Sequence, residues 1–223
     1  MNRKTAIVLG GTGLTGNLLI KRLLADNTYT CIKLFSRKPS GFKSEKIEEF
    51  IGDLLQLEFF KDDFTADEVF CCIGTTSAKT RDRSVYKAVD FGIPSAAARL
   101  ARENKIPTFL VISSMGANTR SKIFYSKTKG EMEQAVSGEK IPHTYILRPS
   151  LILGNRDERR FGESLGAVVL KFTNALLVGS MKKYRAIEAD CIAAAMIHLA
   201  ISKPPSGIVI SDELQELGRA QYN

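Results

Sequence analysis

The chain has 223 residues, of which 44% are hydrophobic and 25% charged, with a formal net charge of +8. That length and balance suit a globular chain of one large domain with enough material for an ordinary core. No run of about 18 apolar residues exists, which argues against a membrane as partner. Lys and Arg are scattered, with no long cationic run and no nucleic-acid motif, which argues against nucleic acid as well.

At the amino terminus Asn2, Arg3 and Lys4 lead into a short apolar stretch and then glycines. This is not a signal peptide, and the expected compartment is the cytoplasm. Lys4 to Leu9 (KTAIVL) reads as a buried strand. Leu19, Ile20, Leu23 and Leu24 give the next segment one apolar helical face, with Lys21 and Arg22 on the other. Strands are expected over Thr30 to Phe35, Ile47 to Ile51 and Asp67 to Ile73. A long helix then carries Val89, Ile93, Ala96, Ala97 and Leu100 on one face, and Pro94 should kink or begin it. A fifth strand is expected at Thr108 to Ile112, a helix at Tyr125 to Val136 and a sixth strand at His143 to Leu147. Strands alternating with helices imply an α/β fold of Rossmann type, with a doubly wound parallel sheet covered on both faces.

After Arg148-Pro149 the rhythm changes. Residues 154 to 160 read as a polar loop, with helical patterns around Leu165 to Phe172 and Asp190 to Ala200 and a strand at Ile208 to Ile210. The expectation is a single domain over 1–223. Residues 1–150 supply the core sheet and helices. Residues 151–223 form a short C-terminal portion beside the sheet's carboxyl edge, closing the substrate side.

The strongest motif is Gly10-Gly11-Thr12-Gly13-Leu14-Thr15-Gly16, a G-x-x-G-x-x-G variant of the dinucleotide fingerprint. It directly follows a strand and opens an amphipathic helix, the context that gives the pattern its meaning. Gly10 would allow the tight turn, Gly13 the approach of a pyrophosphate, and Gly16 close packing of helix on sheet. Gly10, Thr12, Gly13, Leu14, Thr15 and Gly16 are therefore candidate cofactor contacts, with helix N–H groups aimed at the phosphates. No Gly-Lys-Ser/Thr follows, which excludes a P-loop.

The second strand ends Leu34-Phe35-Ser36-Arg37-Lys38. A site for NAD would place a carboxylate there to bind the ribose hydroxyls. Arg37 and Lys38 instead suit the extra phosphate of NADP(H); the alternative is a solvated turn before Pro39. Asp53, after the third strand, either binds the adenine amino group or caps the short helix from Leu54. Gly74 and Thr75 follow the fourth strand and reach the carboxyl edge beside the cofactor. Cys31, Cys71, Cys72 and Cys191 form no C-x-x-C pair and are expected to be reduced, and His143 and His198 lack metal-ligand spacing, so no metal is expected.

Ser113-Ser114 ends the fifth strand, and Tyr125 and Lys129 open the helix that follows. At i and i+4 the phenol and ammonium share one helical face. A lysine there stabilises a phenolate, which lets the tyrosine exchange a proton with an alcohol or carbonyl. A serine hydroxyl from the strand end can orient the substrate oxygen. The bare Y-x-x-x-K spacing is weak evidence, and the chain holds a decoy in Tyr29 and Lys33. Those residues lie along a strand, where i and i+4 are ~13 Å apart.

Taken together, GGTGLTG, the serines at 113 and 114, Y-x-x-x-K at 125–129 and Arg148-Pro149 resemble the short-chain dehydrogenase/reductase superfamily. The segments FCCIGTT (70–76), Val89-Asp90, SSMGAN (113–118), YSKTKGEME (125–133) and LRPSLIL (147–153) resemble an atypical NADP-binding subgroup within it. The resemblance implies bound NADPH, with Arg37 on the 2′-phosphate and Gly74 and Thr75 lining the cofactor. It also implies Tyr125 as proton donor or acceptor, Lys129 as its partner, and Ile152 and Arg160 closing over the cofactor. Ser114 fits the catalytic serine's position better than Ser113. Asp90 stands near the place of the relay's usual asparagine. The expected function is an NADPH-dependent oxidoreductase reducing a carbonyl-like small molecule; the alternative is an NADPH-binding, redox-sensing regulatory protein that acts through a protein partner.

Overall fold

A computed structural model describes residues 3–75, 80, 82–154, 177 and 179–220. The first strand and helix are β1 (Lys4–Leu9) and α1 (Leu14–Ala25). β2 (Tyr29–Ser36) and β3 (Ile47–Ile51) follow, then a 3-10 segment (Leu54–Phe60) and β4 (Glu68–Cys71). The expected long helix is built in three parts: α2 (Arg83–Lys87), a π-helical turn (Ala88–Gly92) and α3 (Ile93–Glu103). Pro94 falls within the first two positions of α3, where its missing N–H costs nothing.

β5 (Thr108–Ile112), α4 (Phe124–Gly138) and β6 (His143–Arg148) match the expected elements closely. The rest comprises β7 (Ile152–Leu153), a 3-10 turn (Gly179–Tyr184), β8 (Ile187–Glu188), α5 (Ala189–Ser202), β9 (Gly207–Ile210) and α6 (Ser211–Ala220). The helical pattern expected at Leu165 to Phe172, and Arg160, lie outside the described residues.

Seven strands pair in the order β3-β2-β1-β4-β5-β6-β9, each parallel to its neighbours. The two-residue alternation of the strands sorts their side chains onto two faces. Ala6 and Val8 of β1 join Leu19, Ile20 and Leu23 of α1 and the apolar face of α5. Ile7 and Leu9 join α3, α4 and the 3-10 segment through Leu54, Leu57, Ala97, Leu100 and Met132. The result is a three-layer α/β/α sandwich of Rossmann type, as the alternation of elements implies.

In the C-terminal portion the helix expected at Asp190 to Ala200 and the strand expected at Ile208 to Ile210 are both present. β9 is the sheet's seventh strand, and α5 packs on α1 with Ile192, Ala193, Met196 and Leu199 buried in the core. These elements complete the sandwich. α6 was not legible as a helix, because Leu214 and Leu217 are its only aliphatic side chains against the core cluster.

Candidate functional site

Because all seven strands are parallel, the loops after β1, β4, β5 and β6 leave the same edge. The glycine turn comes first. Gly10 has φ of +80°, and a Cβ there would stand 2.7 Å from the Cys72 carbonyl oxygen, so only glycine fits beside β4. Gly13 donates to the Gly10 carbonyl at 2.9 Å and occupies the N-cap of α1 without a side-chain cap. A Cβ on Gly16 would meet that same carbonyl, which brings α1 hard against the turn. The first-turn amides of Leu14, Thr15 and Gly16 therefore point outward with no intrahelical acceptor.

A cleft of about 510 Å³ opens here, lined by Thr12, Gly13, Leu14, Asn17, Lys21 and Gly154 among others. Bare backbone, unpaired helix amides and adjoining space are what a pyrophosphate requires, so these residues fit a dinucleotide. Across the cleft, a Cβ on Gly154 would stand 2.8 Å from Leu14 Cδ2, so the chain after β7 closes directly on the loop. Ile152 itself pairs with Ile187 and packs half-buried against the α1–α5 cluster.

Arg37 and Lys38 are exposed at the carboxyl end of β2, and Ser36 Oγ donates to the Lys38 carbonyl at 2.6 Å, fixing the turn that carries them. Asp53 caps the 3-10 segment, accepting the Leu55 amide on Oδ1 at 3.0 Å. Of the two roles open to it in the sequence, the cap is the one visible.

At the ends of β4 and β5 a buried polar cluster gathers. Lys129 is 3% exposed and donates to the Ile112 carbonyl at 3.3 Å. Its Nζ lies 3.0 Å from Asp90 Oδ1, an ion pair lying off the hydrogen-bond direction. Asp90 Oδ2 accepts the Thr75 amide at 2.8 Å, and Thr75 Oγ1 lies 3.0 Å from Thr80 Oγ1. Gly74 sits against this pair, so a Cβ there would stand 3.8 Å from Asp90 Oδ1 and 3.9 Å from Lys129 Nζ. Tyr125, one turn before Lys129, is 39% exposed, with its ring 6.3 Å from and nearly perpendicular to that of Tyr86.

Tyr86 did not stand out in the sequence. It is buried, donates to the Thr75 carbonyl at 3.5 Å, and has its phenol pushed up by burial, then by the charges of Asp90 and Tyr125. Burial likewise raises the Cys71 thiol to about 11, against a smaller lowering by Lys129.

The two serines have separate fates. Ser113 Oγ donates to Glu133 Oε1 at 2.5 Å, and Glu133 is gripped by Arg148 through Nε at 2.9 Å and Nη2 at 2.5 Å. Ser113 is thus consumed by a structural network. Ser114 Oγ is buried with no hydrogen-bond partner among the described residues, a costly state for a hydroxyl unless something supplies one. Glu133 could not be found from sequence, because its link to Arg148 depends on how α4 lies over β6. The decoy pair behaves as its strand placement implies. Tyr29 is buried and donates to Glu68 Oε2 at 2.5 Å, while Lys33 reaches the Asp63 carbonyl at 2.9 Å.

The glycine turn and the parallel sheet, whose strand order reverses direction between β1 and β4, define a dinucleotide-binding α/β protein. The chain belongs to the NAD(P)H-binding family, which its residues 10–168 match. It is 30% identical to Protein FMP52, mitochondrial, of Candida albicans, over 97% of this chain and 99% of that one. It is also 30% identical to Protein HTATIP2 of Rattus norvegicus, over 93% of this chain and 85% of the other. A short-chain dehydrogenase/reductase superfamily protein from Agrobacterium tumefaciens, solved with bound NAD, shares the fold at a TM-score of 0.70 and 16% identity, covering 92% of this chain and 76% of its own.

The comparisons correct one expectation. Further FMP52 proteins bear the same mitochondrial designation, which overturns the cytoplasmic location expected from the sequence. That expectation rested on finding no cleavable leader, and relatives of this kind are assigned to mitochondria all the same.

Proposed function

We propose that this protein is an NADPH-dependent oxidoreductase that reduces a carbonyl-like small molecule, and that it works at mitochondria as its FMP52 relatives are named to do. The observation that carries the reading is the convergence of the bare glycine turn, Gly74 and the Lys129 cluster on one sheet edge, with the unpartnered Ser114 hydroxyl at the end of β5. The unpaired amides of Leu14, Thr15 and Gly16 would take the pyrophosphate, with Gly10, Thr12 and Gly13 shaping the turn. Arg37, with Lys38 beside it, would take the 2′-phosphate. Gly74 and Thr75 would lie along the ribose and nicotinamide end, and Ile152 and Arg160 belong to the segment proposed to close over it. Asp53, engaged as a cap through Oδ1, would offer its other carboxylate oxygen to adenine.

When bound, the cofactor supplies a hydride. Ser114 Oγ would donate a hydrogen bond to the substrate oxygen, and Tyr125 Oη would deliver the proton that completes an alcohol. Lys129, held from behind by Asp90 and the Ile112 carbonyl, would keep the tyrosine and the cofactor ribose in place.

The test is consumption of NADPH with a panel of aldehydes, ketones and quinones. Turnover above the protein-free rate with one class is expected. Tight NADPH binding with no turnover across the panel would leave the regulatory alternative in its place.

A further inference from the structure

Asp90 is fully buried on the π-helical turn between α2 and α3. Such turns inside helices recur at functional positions. One carboxylate oxygen faces Lys129 Nζ at 3.0 Å and the other holds the Thr75 amide at 2.8 Å. Their side chains are 0% and 4% exposed, so solvent does little to screen the pair. Either charge alone would be very costly at this depth.

Among the described residues, the titratable groups packed around the pair add no net charge. Cys71, with its thiol raised to about 11, and Tyr86, raised further, are both neutral at physiological pH. Glu133 and Arg148 cancel one another. The Gly74 surface, within 4 Å of both Asp90 Oδ1 and Lys129 Nζ as a Cβ would sit, therefore faces a neutral pair and not a lone ammonium.

We propose that Asp90 is a specificity-determining residue: by neutralising Lys129 it lets the site hold the oxidised and reduced forms of the nicotinamide cofactor about equally. This rests on the reading above that the nicotinamide end lies against Gly74 and Lys129. The oxidised ring carries a positive charge and the reduced ring none. A buried, uncompensated ammonium would repel the oxidised form by a factor of ten or more at any contact distance in a low-dielectric site. The Asp90 carboxylate removes that bias. A site so balanced reports the total cofactor pool rather than its redox state, which suits an enzyme working in either direction and not a redox sensor.

The experiment is calorimetric titration of wild type, Asp90→Asn, Lys129→Met and the double variant with NADPH and, separately, NADP+. Asparagine keeps the shape and an acceptor for the Thr75 amide. Any loss of ribose contact through Lys129 weakens both forms alike and drops out of the ratio. Wild type should bind the two forms within about threefold of one another. Asp90→Asn should shift the ratio toward NADPH by about tenfold or more, and Lys129→Met toward NADP+. The double variant should return to the wild-type ratio. Because the two single variants have opposite expected signs, either one decides the matter if the other fails to fold.

Equal losses for both cofactors would reduce Asp90 to a structural role and overturn the proposal. So would an Asp90→Asn shift toward NADP+. Failure of wild type to bind either form would overturn the cofactor reading itself, an outcome distinct from binding without a shift in ratio.

Discussion

In the proposed reading Arg37, with Lys38 beside it, sets a preference for NADPH, and no acidic side chain stands at the end of β2. Arg37→Ala should weaken NADPH binding by about 1–3 kcal/mol, the scale of a lost charge-assisted hydrogen bond. NADH binding should stay within error. Equal losses for the two cofactors, measured by calorimetry, would mean that Arg37 is only a turn residue. Its exposed place at the end of a strand was legible in the sequence because it depends only on local pattern. Tyr125 and Lys129 were legible for a similar local reason, helical spacing after a strand that ends in serines. Asp90 was legible as a position but not as a partner, because the contact with Lys129 joins two helices 39 residues apart in sequence number. The separation of Ser113 from Ser114 was hidden for the same reason. Glu133 selects between them through Arg148, and only the packing of α4 over β6 brings the three together.

At the scale of elements, β1 and the glycine turn followed from hydrophobic run and glycine spacing, and the sheet's parallel order from alternation. The tail did not. α5 is apolar all round, which marks burial without saying against what. It lies on α1 and is itself covered by α6, where Gly218 meets the Cys191 backbone so closely that a Cβ would collide with its carbonyl and thiol. Alanine at 218 would gain about 1 kcal/mol of helix propensity. The collision is with backbone, however, so the two helices must separate. Gly218→Ala should therefore destabilise the protein by about 1–2 kcal/mol net, the cost of overpacking outweighing the propensity gain. Denaturant unfolding checks this, and a stabilised variant would show that α6 is not part of the cooperative core.

At the scale of the whole molecule, the buried charge among the described residues is gathered at the two ends of the sheet. At the amino edge Glu68 is fully buried between Tyr29 and Lys4; at the carboxyl edge Asp90 faces Lys129. The first set tunes stability. Burial and the Glu68 carboxylate raise the Tyr29 phenol there well above its ordinary 10.0; at the carboxyl edge, burial also raises the Cys71 thiol from 9.0 to about 11. Groups raised on folding stabilise the native state fully below their unfolded values and lose that contribution as pH climbs toward the folded ones. The melting temperature should hold up to about pH 9 and fall progressively from there through 11. A flat profile over that range would mean that these groups ionise as easily folded as unfolded. The second set belongs to the proposed chemistry, and there the account stands or falls on Tyr125. With a substrate from the carbonyl panel in hand, the measurement is NADPH-dependent turnover of Tyr125→Phe beside Tyr29→Phe, each checked for folding and cofactor affinity. Tyr125→Phe should bind NADPH normally and lose about 10²–10⁴-fold in turnover, while folded Tyr29→Phe keeps its rate; full turnover by Tyr125→Phe would contradict the proposed proton transfer outright.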